Sequence, residues 1–140
     1  MKIERFRWWH IAEVLPIEKD LFGPEKWSAG MFWSELAQRH YYLVAVQDER
    51  VAGYAGLAIV DHHESWVQNL AVRRDAQKRG IGRALLEATM EAARERGATH
   101  IDLTTSVDDT AAIGLYESSG FTNNEGDPDG PSMIYYEREL

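Results

Sequence analysis

Cysteine is absent from the 140-residue chain. Its absence excludes disulfide bonds, thiolate metal sites and a cysteine nucleophile, and it fits a cytoplasmic protein, which we expect. Long apolar runs are also missing, and the basic, aromatic residues 1–9 do not have the composition of a signal peptide. We therefore expect neither a membrane span nor a membrane partner.

Basic residues are in the minority, with 15 Lys and Arg against 23 Asp and Glu and a formal net charge of −8. Nucleic-acid binding requires a broad basic face, so we expect no nucleic-acid partner. A metal site is not expected either, because the adjacent His62 and His63 would point to opposite faces of a strand. The length and the 44% hydrophobic content predict one globular domain over residues 1–140.

Hydrophobic periodicity and turn residues predict the element order β-α-α-β-β-β-α-β-α-β-β. This order indicates a mixed α/β (α+β) sheet with helices packed on it. The first helix is predicted over residues 8–21, where Pro16 would weaken it. Gly53 and Gly56 are unusual inside a strand and predict bulges or close contacts. Trp8 is expected in the core.

The most informative segment is residues 67–94, with the sequence VQNLAVRRDAQKRGIGRALLEATMEAAR. It predicts a buried strand, a short basic glycine turn and an amphipathic helix. Gly80 and Gly82 allow the backbone to approach a ligand closely. The first turn of the helix presents unpaired N–H groups at the positive end of the helix dipole. The segment therefore predicts a phosphate or pyrophosphate site, with added positive charge from Lys78, Arg79 and Arg83.

Two common phosphate motifs do not match this turn. A Walker loop requires Lys-Ser/Thr after its second glycine, whereas Gly82 is followed by Arg83. The dinucleotide fingerprint requires a third glycine or alanine where this chain has Leu85. The stretch from Gln77 to Gly82 instead resembles the Gln/Arg-x-x-Gly-x-Gly/Ala loop of the GCN5-related N-acetyltransferases. In that family the loop binds the pyrophosphate of acetyl-CoA.

A second segment, Asp109 to Phe121, resembles the family signature Asn-x-x-Ala-x-x-Leu-Tyr-x-x-x-Gly-Phe. The resemblance implies that the Tyr116 hydroxyl protonates the departing CoA thiolate. A phenol with a pKa of about 10 can donate to a thiolate of similar basicity. The alternative is a tyrosine packed on the sheet with its hydroxyl bonded to the backbone. Asp109 stands where relatives often have an asparagine that contacts CoA, and it could also cap the helix.

The resemblance implies a mixed, mostly antiparallel sheet of about seven strands flanked by four helices. It also implies direct transfer of an acetyl group from acetyl-CoA to a primary amine. The backbone of Leu70, Ala71 and Val72 would hold the pantetheine arm and the acetyl carbonyl. The pyrophosphate would lie on the residues of the glycine turn: Gln77, Lys78, Arg79, Gly80, Ile81, Gly82 and Arg83. Some family members are dimers, so a monomer or a homodimer is expected.

The acceptor side is less determined. Residues 22–36 resemble the RimI-type ribosomal-protein alanine N-acetyltransferases, which carry a catalytic glutamate on the strand before the tyrosine helix. Counting back from Tyr116, that position is Thr104, whose hydroxyl cannot act as a base at neutral pH. The residues left open as proton acceptors are Glu35, Asp102, Glu64 and the acids of the 125–129 loop.

Three functions remain open. The first is acetylation of a protein N-terminal amine, which residues 22–36 suggest. The second is acetylation of a small-molecule amine, because residues 121–136 look more like the small-molecule or uncharacterised members of the superfamily and because Thr104 stands in place of the glutamate. The third is a CoA-binding module with weak or no catalysis, which Thr104 suggests. We also hypothesise that the chain is a mosaic, natural or engineered, whose two resemblances meet near the glycine turn or just after it.

Overall fold

The structure is a computed structural model that describes residues 1–61, 63–124 and 131–140. Its element order is the one that the sequence predicts. Eleven helices and strands lie within these ranges: β1 Lys2–Arg5, α1 Ile11–Phe22, α2 Ala29–Ala37, β2 Tyr41–Gln47, β3 Arg50–Ile59, β4 Glu64–Val72, α3 Ile81–Glu95, β5 His100–Ser106, α4 Thr110–Ser118, β6 Thr122–Asn124 and β7 Met133–Glu139. Short 3₁₀ turns occupy Trp8–His10, Gly23–Glu25 and Arg74–Ala76.

The strands form one sheet in the order β1-β2-β3-β4-β5-β7-β6. Neighbouring strands are antiparallel except β4 and β5, which are parallel. The parallel pairing covers only Glu64, Ser65 and Trp66 of β4, opposite His100, Ile101 and Asp102 of β5. Beyond these pairs the two strands separate, and the sheet opens at its centre.

A bulge in β4 accompanies this opening. On the β3 side the register shifts between Gly56, which faces Asn69, and Leu57, which faces Val67. Gln68 is therefore the additional residue in β4. An inserted residue bends the strand and increases its local twist. The bulge thus lies just beyond the last β4–β5 pair and turns the end of β4 away from β5.

Helices cover the sheet on both faces. On one face, α1 and α2 pack through Val14, Ile17 and Phe32 against Tyr42 and Tyr54 of the sheet. On the other face, α3 and α4 cover a larger core. That core includes Leu57, Leu86, Met90, Ile101, Leu103, Tyr116 and Tyr136. The two layers hold the diverging ends of β4 and β5 in place from both sides.

Gly53 and Gly56 make the close contacts that their position in a strand predicted. A β-carbon at Gly53 would lie 2.6 Å from the Ala71 carbonyl oxygen. A β-carbon at Gly56 would overlap the Tyr42 ring. Glycine is therefore required where the strands and the ring pack most closely, next to the bulge.

The first helix contains Pro16, as the sequence predicts; the residue is exposed, so water can solvate the carbonyl that loses its partner. One expectation about this region needs correction. Trp8 is not in the core: 59% of its surface is exposed, and its ring stacks on Trp33 at 6.2 Å. A tryptophan next to the buried stripe of a helix is expected in the core, but the 3₁₀ turn before α1 places Trp8 outside the core.

No helix within the described ranges is long and apolar enough to cross a membrane. Nor do the described residues bring together three His, Cys, Asp or Glu side chains that could hold a metal ion. His62 lies outside the described residues. The turn beside it is held by Asp61, whose Oδ1 accepts hydrogen bonds from the backbone N–H groups of His63 and Glu64.

Candidate active site

A cavity of about 480 Å³ lies where β4 and β5 separate, between the end of β4, the start of α3 and one side of α4. Eleven of the twelve site residues that the sequence predicted line it. They are Leu70, Ala71, Val72, Gln77, Lys78, Gly80, Ile81, Gly82, Arg83, Asp109 and Tyr116. Arg79 is the exception; it lies in the same turn, exposed, and is not part of the cavity wall.

The wall also contains residues that sequence reasoning missed: Leu21, Phe22, Arg74, Ala76, Ala111, Ala112 and Leu115. Arg74 brings the end of α1 to the cavity, because its Nε donates to the Asp20 carboxylate at 3.0 Å. The two residues are 54 positions apart in the chain. No local pattern links them, so only the folded structure identifies this contact.

Hydrogen bonds connect the glycine turn between β4 and α3 to the sheet. The Arg73 N–H donates to the Ala52 carbonyl at 2.6 Å, and the Gln77 side-chain amide donates to the Val72 carbonyl at 2.9 Å. Lys78 and Gly80 both have positive φ, 65° and 81°. This backbone is unfavourable for a lysine and natural for a glycine. The turn ends at Gly80, and α3 begins at the next residue.

The start of α3 supplies donors to the cavity. Ala84 N–H makes the first helical bond, to the Gly80 carbonyl at 3.0 Å. The N–H groups of Ile81, Gly82 and Arg83 therefore precede the helical ladder, where they have no intrahelical acceptor. All three residues line the cavity. Unpaired N–H groups and the helix dipole together favour an anion at this position.

Helix α4 forms the opposite wall and carries Tyr116. Its first turn is capped by Asp109, whose Oδ1 accepts a hydrogen bond from the Ala112 N–H at 3.1 Å. The capping prediction is confirmed, and the same residue lines the cavity. Asp109 therefore has a structural role whether or not it contacts a ligand.

Tyr116 is 6% exposed and packs against the rings of Phe121 and Tyr136 at centroid distances of 5.9 and 6.1 Å. Burial raises the pKa of its hydroxyl well above the usual range, and the negative charge of Asp109 raises it further. The side chain thus presents a protonated phenol at the cavity wall.

A buried polar network lies on the opposite face of the sheet, beneath the bulge. The Glu18 carboxylate is 1% exposed and accepts hydrogen bonds from the Tyr54 hydroxyl and, at 3.0 Å, from the Trp27 N–H. Tyr42 donates to the Asn69 side-chain oxygen of the bulge at 2.5 Å. Sequence reasoning missed this network, although a glutamate on the apolar stripe of α1 was a signal for it.

The network keeps its tyrosines protonated. Burial raises the pKa of Tyr54 and Tyr42 far above the usual range, and the charge of Glu18 adds to both shifts. Both hydroxyls therefore remain donors at any ordinary pH. They connect α1, the segment before α2 and the β4 bulge into one support for the cavity.

The structure shows where Thr104 and the candidate proton acceptors lie. Thr104 is half-buried on β5, opposite Tyr135 of β7. Asp102 lies two residues earlier on the same face and accepts a hydrogen bond from the Tyr135 hydroxyl at 2.6 Å. Glu35 is paired with His40, and Glu64 is exposed at the start of β4. The acids of the 125–129 loop lie outside the described residues.

Comparisons with known proteins agree with this geometry. Residues 4–121 match the model of the acetyltransferase (GNAT) family. The [ribosomal protein bS18]-alanine N-acetyltransferase of Salmonella typhimurium is 37% identical over 95 residues, which are 68% of this chain and 64% of that protein. The aligned part is thus slightly less than two thirds of that relative's length.

Two further relatives cover more of the chain. A Bacillus subtilis protein described as a putative [ribosomal protein bS18]-alanine N-acetyltransferase is 30% identical over 128 residues, 90% of this chain and 80% of that protein. The crystal structure of the Escherichia coli ribosomal-protein-S18-alanine N-acetyltransferase superposes with a TM-score of 0.85 at 28% identity, over 99% of this chain and 92% of that one. The family match, the fold and the cavity at the divergence of β4 and β5 give one conclusion: the chain belongs to the acetyltransferase (GNAT) family.

Proposed function

We propose that this protein transfers an acetyl group from acetyl-CoA to the α-amine of a protein N-terminus. The observation that carries the proposal is the cavity itself. It brings an anion-binding helix start, an unpaired strand end and a protonated phenol to one place. The similarity to alanine N-acetyltransferases supports a peptide N-terminus as the acceptor.

In the proposed reaction the donor pyrophosphate binds at residues 77–83. Its thioester lies beside the end of β4, where the backbone is no longer paired with β5. The amine lone pair attacks the carbonyl carbon, and a backbone N–H of Leu70 to Val72 stabilises the oxyanion. The carbon–sulfur bond then breaks, and the sulfur takes the Tyr116 proton. The amine proton leaves through water, because Thr104 offers a hydroxyl rather than a carboxylate.

Acetylation of a small-molecule amine is the second candidate, and Thr104 is the observation that favours it. A peptide acceptor and a small polyamine differ in how the amine loses its proton and in how the amine reaches the thioester. A CoA-binding module without catalysis is the third candidate. All three share the donor cavity and differ only in what reaches the acetyl carbon.

One assay separates these candidates. CoA release from acetyl-CoA is measured with a short peptide that begins with alanine, with the same peptide blocked at its N-terminus, and with a panel of polyamines and aminoglycosides. We expect turnover with the free peptide and none with the blocked one. Turnover confined to the small amines would establish the second candidate, and no turnover with any amine despite CoA binding would establish the third.

We propose further that residues 1–140 form a single domain, since both helix layers pack on one continuous sheet. A cytoplasmic location, the monomer or homodimer state and the mosaic hypothesis stay predictions of the sequence.

A further inference from the structure

A second cavity, also of about 480 Å³, lies on the far side of α3, between this helix, the C-terminal end of α4 and strand β7. Its charged and polar wall consists of Arg83, Glu87, Arg94, Ser118, Ser119 and Arg138. Three guanidinium groups thus face one carboxylate in a chain whose formal charge is −8. Such a local excess of positive charge favours a small anion.

Arg83 connects the two cavities, because it lines both of them. Its Nη2 donates to the Ser118 hydroxyl at 2.7 Å and its Nη1 donates to the Ser119 hydroxyl at 3.1 Å. These two bonds direct the guanidinium toward the second cavity. A ligand held at the start of α3 therefore meets the second cavity immediately beyond Arg83.

The other two arginines of this cavity wall make different contacts from Arg83. Arg94 pairs with Glu91 at 3.3 Å on the exposed surface. Arg138 donates from Nη1 to the Met90 sulfur at 2.8 Å and packs along Gly120, where a β-carbon would lie 2.9 Å from its Nε. Among the ion pairs of the described residues, neither Arg83 nor Arg138 has a carboxylate partner. The positive charges of these two guanidinium groups are thus not neutralised by an ion pair, although each group also donates to a neutral partner.

We propose that this second cavity binds the 3′-phosphate of the acetyl donor. The inference rests on the proposed function, because it takes acetyl-CoA as the ligand of the first cavity. CoA carries a phosphate monoester on the ribose next to its pyrophosphate. When the pyrophosphate binds at the start of α3, this second anion therefore comes close to Arg83 and the second cavity. Guanidinium groups are suited to phosphate oxygens through paired, charge-assisted hydrogen bonds. The cavity would therefore select CoA over donors that lack the 3′-phosphate.

The test compares CoA with 3′-dephospho-CoA in binding and acetyl-CoA with acetyl-3′-dephospho-CoA in turnover. We expect the wild-type protein to bind the dephosphorylated compound about tenfold more weakly, as the loss of a charge-assisted contact implies. The KM should rise by a similar factor, with kcat unchanged, because the contact is equal in the ground and transition states. Calorimetry gives the binding constants without requiring turnover.

Two variants assign the effect to the cavity with opposite signs. Arg138→Gln should weaken binding of CoA about fivefold to tenfold and leave 3′-dephospho-CoA unaffected. Glu87→Gln removes the opposing carboxylate from an exposed helix position and should tighten binding of CoA about twofold to threefold, again without effect on the dephosphorylated compound. Glu95→Gln is the matched control, since it makes the same charge change on α3 outside the cavity wall and should alter neither ligand.

Equal affinity of the wild-type protein for the two compounds would overturn the proposal and leave the acetyltransferase function standing. Discrimination that persists unchanged in both variants would overturn the assignment to this cavity. If inorganic phosphate bound beside 3′-dephospho-CoA and CoA itself showed no preference, the cavity would serve a separate anion, and the proposal would also fail. Selective binding of CoA without turnover would instead contradict the proposed function alone.

Discussion

Tyr116 has its chemical character because of where α4 places it. In water a phenol begins to lose its proton near pH 10. Behind Phe121 and Tyr136, and near the charge of Asp109, the ionised form is disfavoured and the pKa rises. The residue therefore keeps its proton throughout the neutral range, so in the proposed reaction the proton is present when the thiolate departs.

Replacing Tyr116 with phenylalanine tests this role. We expect kcat to fall about 100-fold, which is typical for the loss of a positioned acid, with little change in the KM for acetyl-CoA. Because the pKa is raised, the wild-type kcat should show no loss from this group until the pH exceeds about 10. Steady-state kinetics from neutral to alkaline pH provide both measurements.

Tyr41→Phe is the control for that experiment. The Tyr41 ring lies between the guanidinium groups of Arg5 and Arg96, away from the cavity wall, and loses only a hydroxyl in this variant. Its kcat should equal that of the wild type. A Tyr116→Phe enzyme with a kcat within twofold of the wild type would show that the proton comes from elsewhere.

The bulge of β4 is the element that creates the donor cavity. It lies opposite Gly56, above the Tyr42 ring, whose hydroxyl bonds to Gln68 at 3.1 Å and Asn69 at 2.5 Å. The ring can support the bulge only because Gly56 has no side chain. The absence of one methyl group thus determines the geometry of a whole strand end.

Gly56→Ala should therefore destabilise the protein by about 1–3 kcal/mol, the cost of an additional methyl group in a packed core. It should also raise the KM for acetyl-CoA, because the displaced ring moves the bulge. Gly114→Ala is the matched control on α4: its β-carbon would meet no atom within 4 Å, and alanine is favoured in a helix by about 0.5–1 kcal/mol.

Chemical denaturation of both variants gives the comparison. The two substitutions add the same methyl group and should change the free energy of unfolding in opposite directions. A Gly56→Ala protein as stable as the wild type would mean that Tyr42 can move aside at no cost, and that the ring does not support the bulge.

At the scale of the whole molecule, the tyrosines are the titratable groups whose pKa values the fold raises. Five of them have raised pKa values: Tyr42, Tyr54, Tyr116, Tyr135 and Tyr136. Burial is the first cause in every case. They span both faces of the sheet, so their protons are held by the complete fold rather than by one local contact.

This distribution predicts alkaline unfolding. Above about pH 10 the tyrosines of the unfolded chain lose their protons, while the folded protein keeps them. The folded state then binds more protons, so the free energy of unfolding falls as the pH rises. The stabilising contribution is complete below about pH 10, and its loss should approach about 1.4 kcal/mol per pH unit for each buried tyrosine.

Urea denaturation between about pH 8 and about pH 11 measures this slope. Tyr54→Phe should reduce the slope by close to one proton, although the variant is less stable overall because Glu18 loses a donor. A wild-type stability that stays constant up to about pH 11 would mean that the tyrosines ionise without unfolding the protein.

Several features of this protein were predictable from its sequence because they depend on neighbours along the chain. The glycine turn, the start of α3 and the Asp109 cap are local, and each follows from residue type and spacing within a few positions. The element order follows from periodicity for the same reason. The donor side of the site is built mainly from these local pieces, and so eleven of its twelve predicted residues line one cavity.

Other features were decided only by the tertiary structure, because they join residues far apart in sequence. Glu18 meets Tyr54 across 36 positions, and Arg83 meets Ser118 across 35. Trp8 is a large aromatic residue of the kind found in cores, but it lies outside the core. The 3₁₀ turn at Trp8–His10 directs it away from the sheet. The anion site beside α3 exists only after α4 and β7 have packed against it. Residue type sets what each group can do, and long-range packing sets which groups act together.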